Sequence, residues 1–161
     1  MASANTYPHN AWYHYVLTRS GNTWRMFVNG NLQEVQTYSG SYNLNYGGTR
    51  MGYSTWDGGQ GWYKGFVSDL RVVKGSIITA YQTSSTTEGD QIFTSPASPL
   101  TAVTNTQLLT CNDTANIFNA AGTSSAVTLA GTAKSSTAQT KHASASMLFD
   151  GNSDYVELLN F

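Results

Sequence analysis

Charge is scarce in this chain of 161 residues: Asp, Glu, Lys and Arg make up 11% of it, against about 25% in an average soluble domain. The eight basic residues are scattered along the sequence and the net charge is −1. No basic stripe exists to follow a phosphate backbone, which argues against nucleic acid as a partner. Cysteine occurs once, at Cys111, so a disulfide framework and a cysteine-built zinc site are both excluded. A lone thiol of this kind is expected to serve as a small buried apolar group. No apolar run approaches the ~20 residues that a membrane-crossing helix requires, which argues against a membrane partner. The opening MASANTYPHN lacks the apolar stretch of a signal peptide.

With so few charges, the surface must be built from Ser, Thr, Asn, Gln and Gly, which are uncharged but rich in hydrogen-bonding groups. Hydrophobic residues make up 40% and aromatics 12%, and ten of the aromatics are Tyr. The length suits one domain over 1–161 with a packed core. The pattern is that of strands. AWYHYVLTR (11–19) is aromatic and β-branched. TWRMFVNG (23–30) alternates, with Trp24, Met26 and Val28 on one face and Arg25 and Phe27 on the other. Asn29-Gly30 is a preferred type I′ hairpin pair. LQEVQTY (32–38) returns, with Leu32, Glu34 and Gln36 opposite Gln33, Val35 and Thr37. Further strands are expected over 49–54, 62–75, 106–112 and 126–131, with a closing hairpin of SMLFDG and DYVELL. Residues 76–91 could hold one short helical turn, 93–103 should run extended, and 132–146 should be loop. About nine short strands with frequent turns predict an all-β antiparallel sandwich or barrel.

AWYHYVLTRSGNTWRMFVNGNLQ, followed by TRMGYS and GWYKGFVSDLRVVKG, resembles the laminin-G-like, concanavalin-A-like jelly rolls. The positions that carry the resemblance are Trp12, His14, Arg19, Asn29, Gly30, Gly52, Gly65, Asp69 and Arg71. Residues 11–75 resemble the later strands of that fold. FTSPASPLTAVTNTQLLTCND, AVTLAG and MLFDGNSDYVEL, over 106–158 and the segment before it, resemble its opening as found in phage virion proteins. Residues 76–105 connect the two. The resemblance implies a jelly-roll β-sandwich whose strands occur in a displaced order. Either the chain is a piece of a tandem array, or it is a permuted jelly roll whose halves pair with each other. Both leave strand edges without their usual partners, so a homo-oligomer formed through strand edges is expected.

Glycoside hydrolysis needs two carboxylates flanking one bond, and concanavalin-like glucanases carry theirs in a Glu-x-Asp-x-x-Glu pattern. This chain has three Glu, at 34, 88 and 157, and none sits in that pattern. Asp154 and Glu157 are three apart, so they face opposite ways on a strand. No Gly-x-Ser-x-Gly elbow is present, and His14 reads as a framework residue of the sheet. No catalytic residue is assigned. Asp150, Asn152 and Asp154 offer oxygens at spacing that could hold a structural calcium, but the same residues commonly bond the backbone of their own turn. Asp113 beside Asn112 is a lesser candidate for the same ion.

YSTWDGGQGWYKG (53–65) gathers Tyr53, Trp56, Trp62 and Tyr63 around an Asp and several glycines. Aromatic faces stack on the apolar face of a sugar ring, and Asp57 and Gln60 could take its hydroxyls. The competing expectation is that Trp62 and Tyr63 are strand residues with one face in the core. The sequence therefore points to a non-catalytic carbohydrate-binding or adhesion module of a virion or another extracellular structure. Its site would be Tyr53, Trp56, Asp57, Gln60, Trp62 and Tyr63, with no cofactor beyond that calcium. The alternatives are a structural virion domain whose ligand is another subunit, and a glycoside hydrolase relative, which the missing carboxylates disfavour.

Overall fold

A two-residue turn with positive φ at both positions folds a strand straight back on itself, and Asn29 (φ 51°) and Gly30 (φ 85°) form such a pair. They join β2 (Thr23–Val28) to β3 (Asn31–Thr37), while Gly21 (φ 57°) helps turn β1 (Tyr15–Ser20) into β2. The three strands form an antiparallel meander in the order β1-β2-β3. The computed structural model describes residues 6–41, 49–54, 61–111 and 126–159. They belong to two compact units, Met1–Tyr42 with Gly75–Pro96, and Asn43–Lys74 with Ala97–Phe161.

The first unit is built on the meander. Strict alternation would place Leu32 and Val35 on opposite faces of β3, as the sequence predicts. A bulge between Met26 and Phe27 breaks the alternation: Phe27 stands opposite Leu32, while Arg25 stands opposite Val35. Both Leu32 and Val35 thereby reach the cluster around Phe27. Phe93, at the end of a segment that bridges to Asn31 through Gln91, covers this cluster. The backbone fixes that segment, with the N–H of Leu32 donating to Asp90 O and the N–H of Ile92 to Gly30 O, both at 2.9 Å. Tyr81, on a 3-10 turn over Thr79–Tyr81, lies 4.6 Å from Phe93 between ring centroids. His14 precedes β1 and packs edge-on against Phe93 at 5.9 Å. Its N–H donates to Asn29 Oδ1 at 2.9 Å, so it frames the hairpin.

Among its described residues the second unit holds ten short strands. They are β4 (Thr49–Met51), β5 (Tyr53–Ser54), β6 (Gly61–Trp62), β7 (Lys64–Val67) and β8 (Leu70–Val73), then β9 (Thr106–Thr110), β10 (Ala126–Ala130), β11 (Lys134–Ser136), β12 (Ser146–Asp150) and β13 (Tyr155–Leu159). They pair antiparallel as β10-β13-β4, β11-β12-β7, β5-β6 and β8-β9. Leu108, Met147, Phe149 and Val156 form the buried core with Cys111 and Ala133. Cys111 takes the apolar role expected of it: burial pushes its thiol up to about 12, which keeps it protonated at neutral pH.

Three expectations are corrected here. The single strand over 62–75 is three pieces. Asp69 ends the middle one with φ 56°, its N–H donating to Cys111 O and its Oδ1 accepting from the N–H of Leu100, each at 2.9 Å. The strand over 49–54 breaks at Gly52 (φ 96°), where a Cβ would lie 2.6 Å from the Phe149 ring. The loop over 132–146 contains β11, which pairs with β12. The closing hairpin is accepted by the chain's own earlier strands: Val156 stands opposite Met51, and Leu148 opposite Phe66.

Candidate functional site

The break at Gly52 has a consequence for the outward face of the second unit. Inward, Met51 and Val156 stand opposite each other and join the core. One position earlier on β4 and one later on β13, Arg50 stands opposite Glu157 on the other face. Their side chains make an ion pair at 3.4 Å. After the kink, β5 pairs with β6 so that Tyr53 stands opposite Trp62. The two rings stack with centroids 4.3 Å apart and planes 29° apart. Tyr155 completes a triangle, 6.0 Å from Tyr53 and 6.5 Å from Trp62, with its plane within 35° of both. The Arg50 guanidinium lies over Tyr155 at 4.7 Å and over Tyr53 at 5.8 Å.

The result is a half-exposed platform of three mutually stacked rings, their planes 24° to 35° apart, held by a cation that Glu157 steadies. A cation over a ring face is attracted by its quadrupole, so Arg50 fixes the ring positions as well as offering donors to a ligand. Tyr53 and Trp62 cover part of each other's faces and Arg50 covers part of Tyr53 and Tyr155, so a ligand's apolar face would meet an outer ring face of this group, with Arg50, Glu157 and the Tyr hydroxyls at its margin.

Of the residues expected from sequence, Tyr53 and Trp62 meet. Tyr63 does not join them. Adjacent strand residues point to opposite faces, and the Tyr63 ring packs edge-on against Phe149 at 5.8 Å, its hydroxyl donating to Phe66 O at 3.2 Å. Partial burial there raises its pKa. Trp56, Asp57 and Gln60 lie outside the described residues. Arg50, Tyr155 and Glu157 were missed, because only the pairing of β4 with β13 brings them there.

The residues considered for calcium serve the hairpin. Asp154, 1% exposed, accepts from the N–H of Asp150 at 2.7 Å, from the N–H of Thr132 at 2.5 Å and from the Thr132 hydroxyl at 3.2 Å. Burial alone would raise its pKa, but these hydrogen bonds outweigh it and hold the carboxyl below the ordinary Asp value. Asp150 Oδ1 accepts from the N–H of Asn152 at 2.7 Å, and its Oδ2 from the Thr132 hydroxyl at 3.0 Å. Both carboxylates are thus engaged by the turn, and among the described residues no group of three acidic, His or Cys side chains could hold a metal ion. Asn112 and Asp113 lie outside the described residues.

Among the described residues every strand pairing is antiparallel and buried faces alternate with polar ones, an all-β arrangement that fits a β-sandwich. Residues 1–80 match the laminin-G-type model of the concanavalin A-like lectin/glucanases superfamily. That span includes all nine positions that carried the resemblance, from Trp12 and His14 to Asp69 and Arg71. No curated protein and no solved structure matches the chain.

Proposed function

We propose that the chain is a non-catalytic carbohydrate-binding module of a virion or other extracellular structure, holding an uncharged glycan on Tyr53, Trp62 and Tyr155. The observation that carries this reading is the stacked arrangement of the three rings beside a steadied Arg–Glu pair. A lectin/glucanase superfamily match supports it at the level of class. The absence of catalysis rests on the carboxylates: Glu157 is paired with Arg50, and Asp150 and Asp154 are bound into their turn. The extracellular or virion setting rests on the sparse charge and on the resemblance of the second half to phage virion domains. Stacking on one platform gives weak binding, so copies would act together.

Glycan-array screening followed by titration tests the reading. Trp62→Ala is expected to weaken binding about tenfold, the scale of one lost aromatic contact, and Trp62→Phe to keep most of it. Unaltered binding by Trp62→Ala would remove the platform from consideration.

One observation favours a second reading, a structural subunit assembled through protein contacts. β1 is an outer strand of its sheet, and Tyr15 and Leu17 on its outward face are 60% and 57% exposed. An edge with exposed apolar groups recruits a further strand. Light scattering at micromolar concentration is expected to show an oligomer that Leu17→Lys shifts towards monomer. A monomeric parent chain would sink this assembly.

A further inference from the structure

We infer that the first unit carries a second binding site, independent of the aromatic platform, that takes the carboxylate of an acidic sugar. An open groove of roughly 560 Å³ lies between one end of the meander and the segment after the 3-10 turn. That is the size range of small-molecule sites. Thr18 and Ser20 of β1 and Arg25 of β2 line one side; Tyr81, Gln82 and Ser84 line the other.

The groove exists because the covered face of the meander is apolar at only one end. Val16 and Phe27 are cross-strand partners, and Phe93 and Tyr81 close over that pair's end of the sheet. The next partners along the same face are Thr18 with Arg25, then Ser20 with Thr23. Polar side chains cannot be sealed under aromatic rings without loss of hydration, and the chain from Gln82 to Ser84 stands off from them instead.

Among the described residues Arg25 is the one ionisable cation lining this groove. Its Nε–H donates to Ser85 O at 2.9 Å. Among the described residues that is the one hydrogen bond of its guanidinium, and no carboxylate pairs with it. The anchor at Nε fixes the plane of the guanidinium and leaves the edge formed by its two Nη groups for a ligand. Such an edge matches a carboxylate through two parallel hydrogen bonds. The remaining lining supplies what a polyhydroxylated ring needs. Thr18, Ser20 and Ser84 bring hydroxyls that both donate and accept. Tyr81, held from behind by Phe93 at 4.6 Å, presents a fixed aromatic surface. Gln82 is steadied by donating to Ile77 O at 2.9 Å, which leaves its amide oxygen to accept a hydroxyl. One cation among neutral hydrogen-bonding groups selects a singly charged acidic sugar, such as a uronate, over its neutral parent.

The test is a titration of the full chain, followed by amide chemical shifts, with glucuronate, glucose and acetate. Glucuronate is expected to shift the amides of residues 18–25 and 81–85, to bind at least about tenfold more tightly than glucose, the margin a fixed charge-assisted pair provides, and to bind more tightly than acetate, which lacks the ring hydroxyls. Arg25→Gln is expected to abolish that margin, and Arg25→Lys to recover it only in part. Ser84→Tyr, which fills the groove from an exposed position, is expected to block glucuronate in a chain whose fold the Arg25 changes do not touch. Trp62→Ala is expected to leave glucuronate binding intact, so failure of the platform and failure of the groove give different results. Equal binding of glucuronate and glucose, acetate binding as tightly as glucuronate, no shift in these amides, or full binding by folded Arg25→Gln would each overturn the assignment.

Discussion

Replacing Asp154 by Ala is expected to cost the second unit on the order of 2 kcal/mol. The carboxylate is 1% exposed and accepts from two backbone N–H groups, those of Asp150 and Thr132. Without it both donors lose their acceptor, and since Asp150 and Thr132 lie at the surface the loss is shared with water and comes to about 1–3 kcal/mol for the pair. Asp154→Asn keeps the shape but turns an amide NH2 towards donors, so it should fall between Ala and the parent. Thermal or urea unfolding measures the order. The same site sets an acid limit. Its pKa is lowered from the ordinary 3.8 in the folded chain, so the unfolded chain binds this proton more readily than the folded one. Stability from Asp154 is therefore complete above about pH 5 and falls progressively as pH drops through the unfolded value towards the folded one. The parent should lose stability across that window, and the Ala variant should show a flatter profile there. A profile that Asp154→Ala leaves unchanged would detach the acid limit from this residue.

The second large effect is expected at Gly30, in the other unit. With φ at 85°, any side chain there begins with a cost of about 1–2 kcal/mol. Space is the harder limit: a Cβ on Gly30 would lie 1.8 Å from the carbonyl oxygen of Phe93. Backbone cannot swing aside as a side chain can, so Gly30→Ala must displace the segment that carries Phe93 off the Phe27–Leu32 cluster. We expect a loss of at least about 3 kcal/mol, among the large effects reserved for strained backbone and opened cores. Gly21→Ala is the matched control, since it has φ 57° but nothing within 4 Å of its Cβ. Hydrogen exchange should show faster exchange over 89–93 for Gly30→Ala and little change for Gly21→Ala. Equal effects of the two would leave φ alone as the cause.

Gly30 also shows what a sequence can and cannot announce. Asn29-Gly30 was readable as a hairpin turn because two consecutive positive φ values suit few residue pairs. That Gly30 also makes room for Phe93 depends on a segment sixty residues away, which no local pattern encodes. The same division runs through the candidate site. Tyr53 and Trp62 were legible as aromatics flanking a Gly-rich loop, and the opposite facing of Trp62 and Tyr63 follows from strand alternation. Tyr155, Arg50 and Glu157 were not, since they join the platform through a pairing of residues 51 and 156. Alternation itself misled at β3, where the bulge beside Phe27 puts Leu32 and Val35 into one cluster. The turn role of Asp150 and Asp154 was legible from Asp-Gly-Asn-Ser-Asp, but Thr132 as their shared partner was not.

The closing hairpin has a further consequence, and it concerns time. β4 and β7 find their partners in β13 and β12, so Arg50 waits for Glu157, 107 positions later. The first unit needs nothing beyond Pro96, whereas the second draws on strands up to Leu159. During synthesis the meander can condense while β4 and β7 remain open ladders, and contacts so far apart in the chain form slowly. A nascent or truncated chain that stops before residue 146 presents those two edges to any strand at hand. Self-association before the second unit closes, rather than weakness of the finished fold, is then the step that governs how much native protein is recovered.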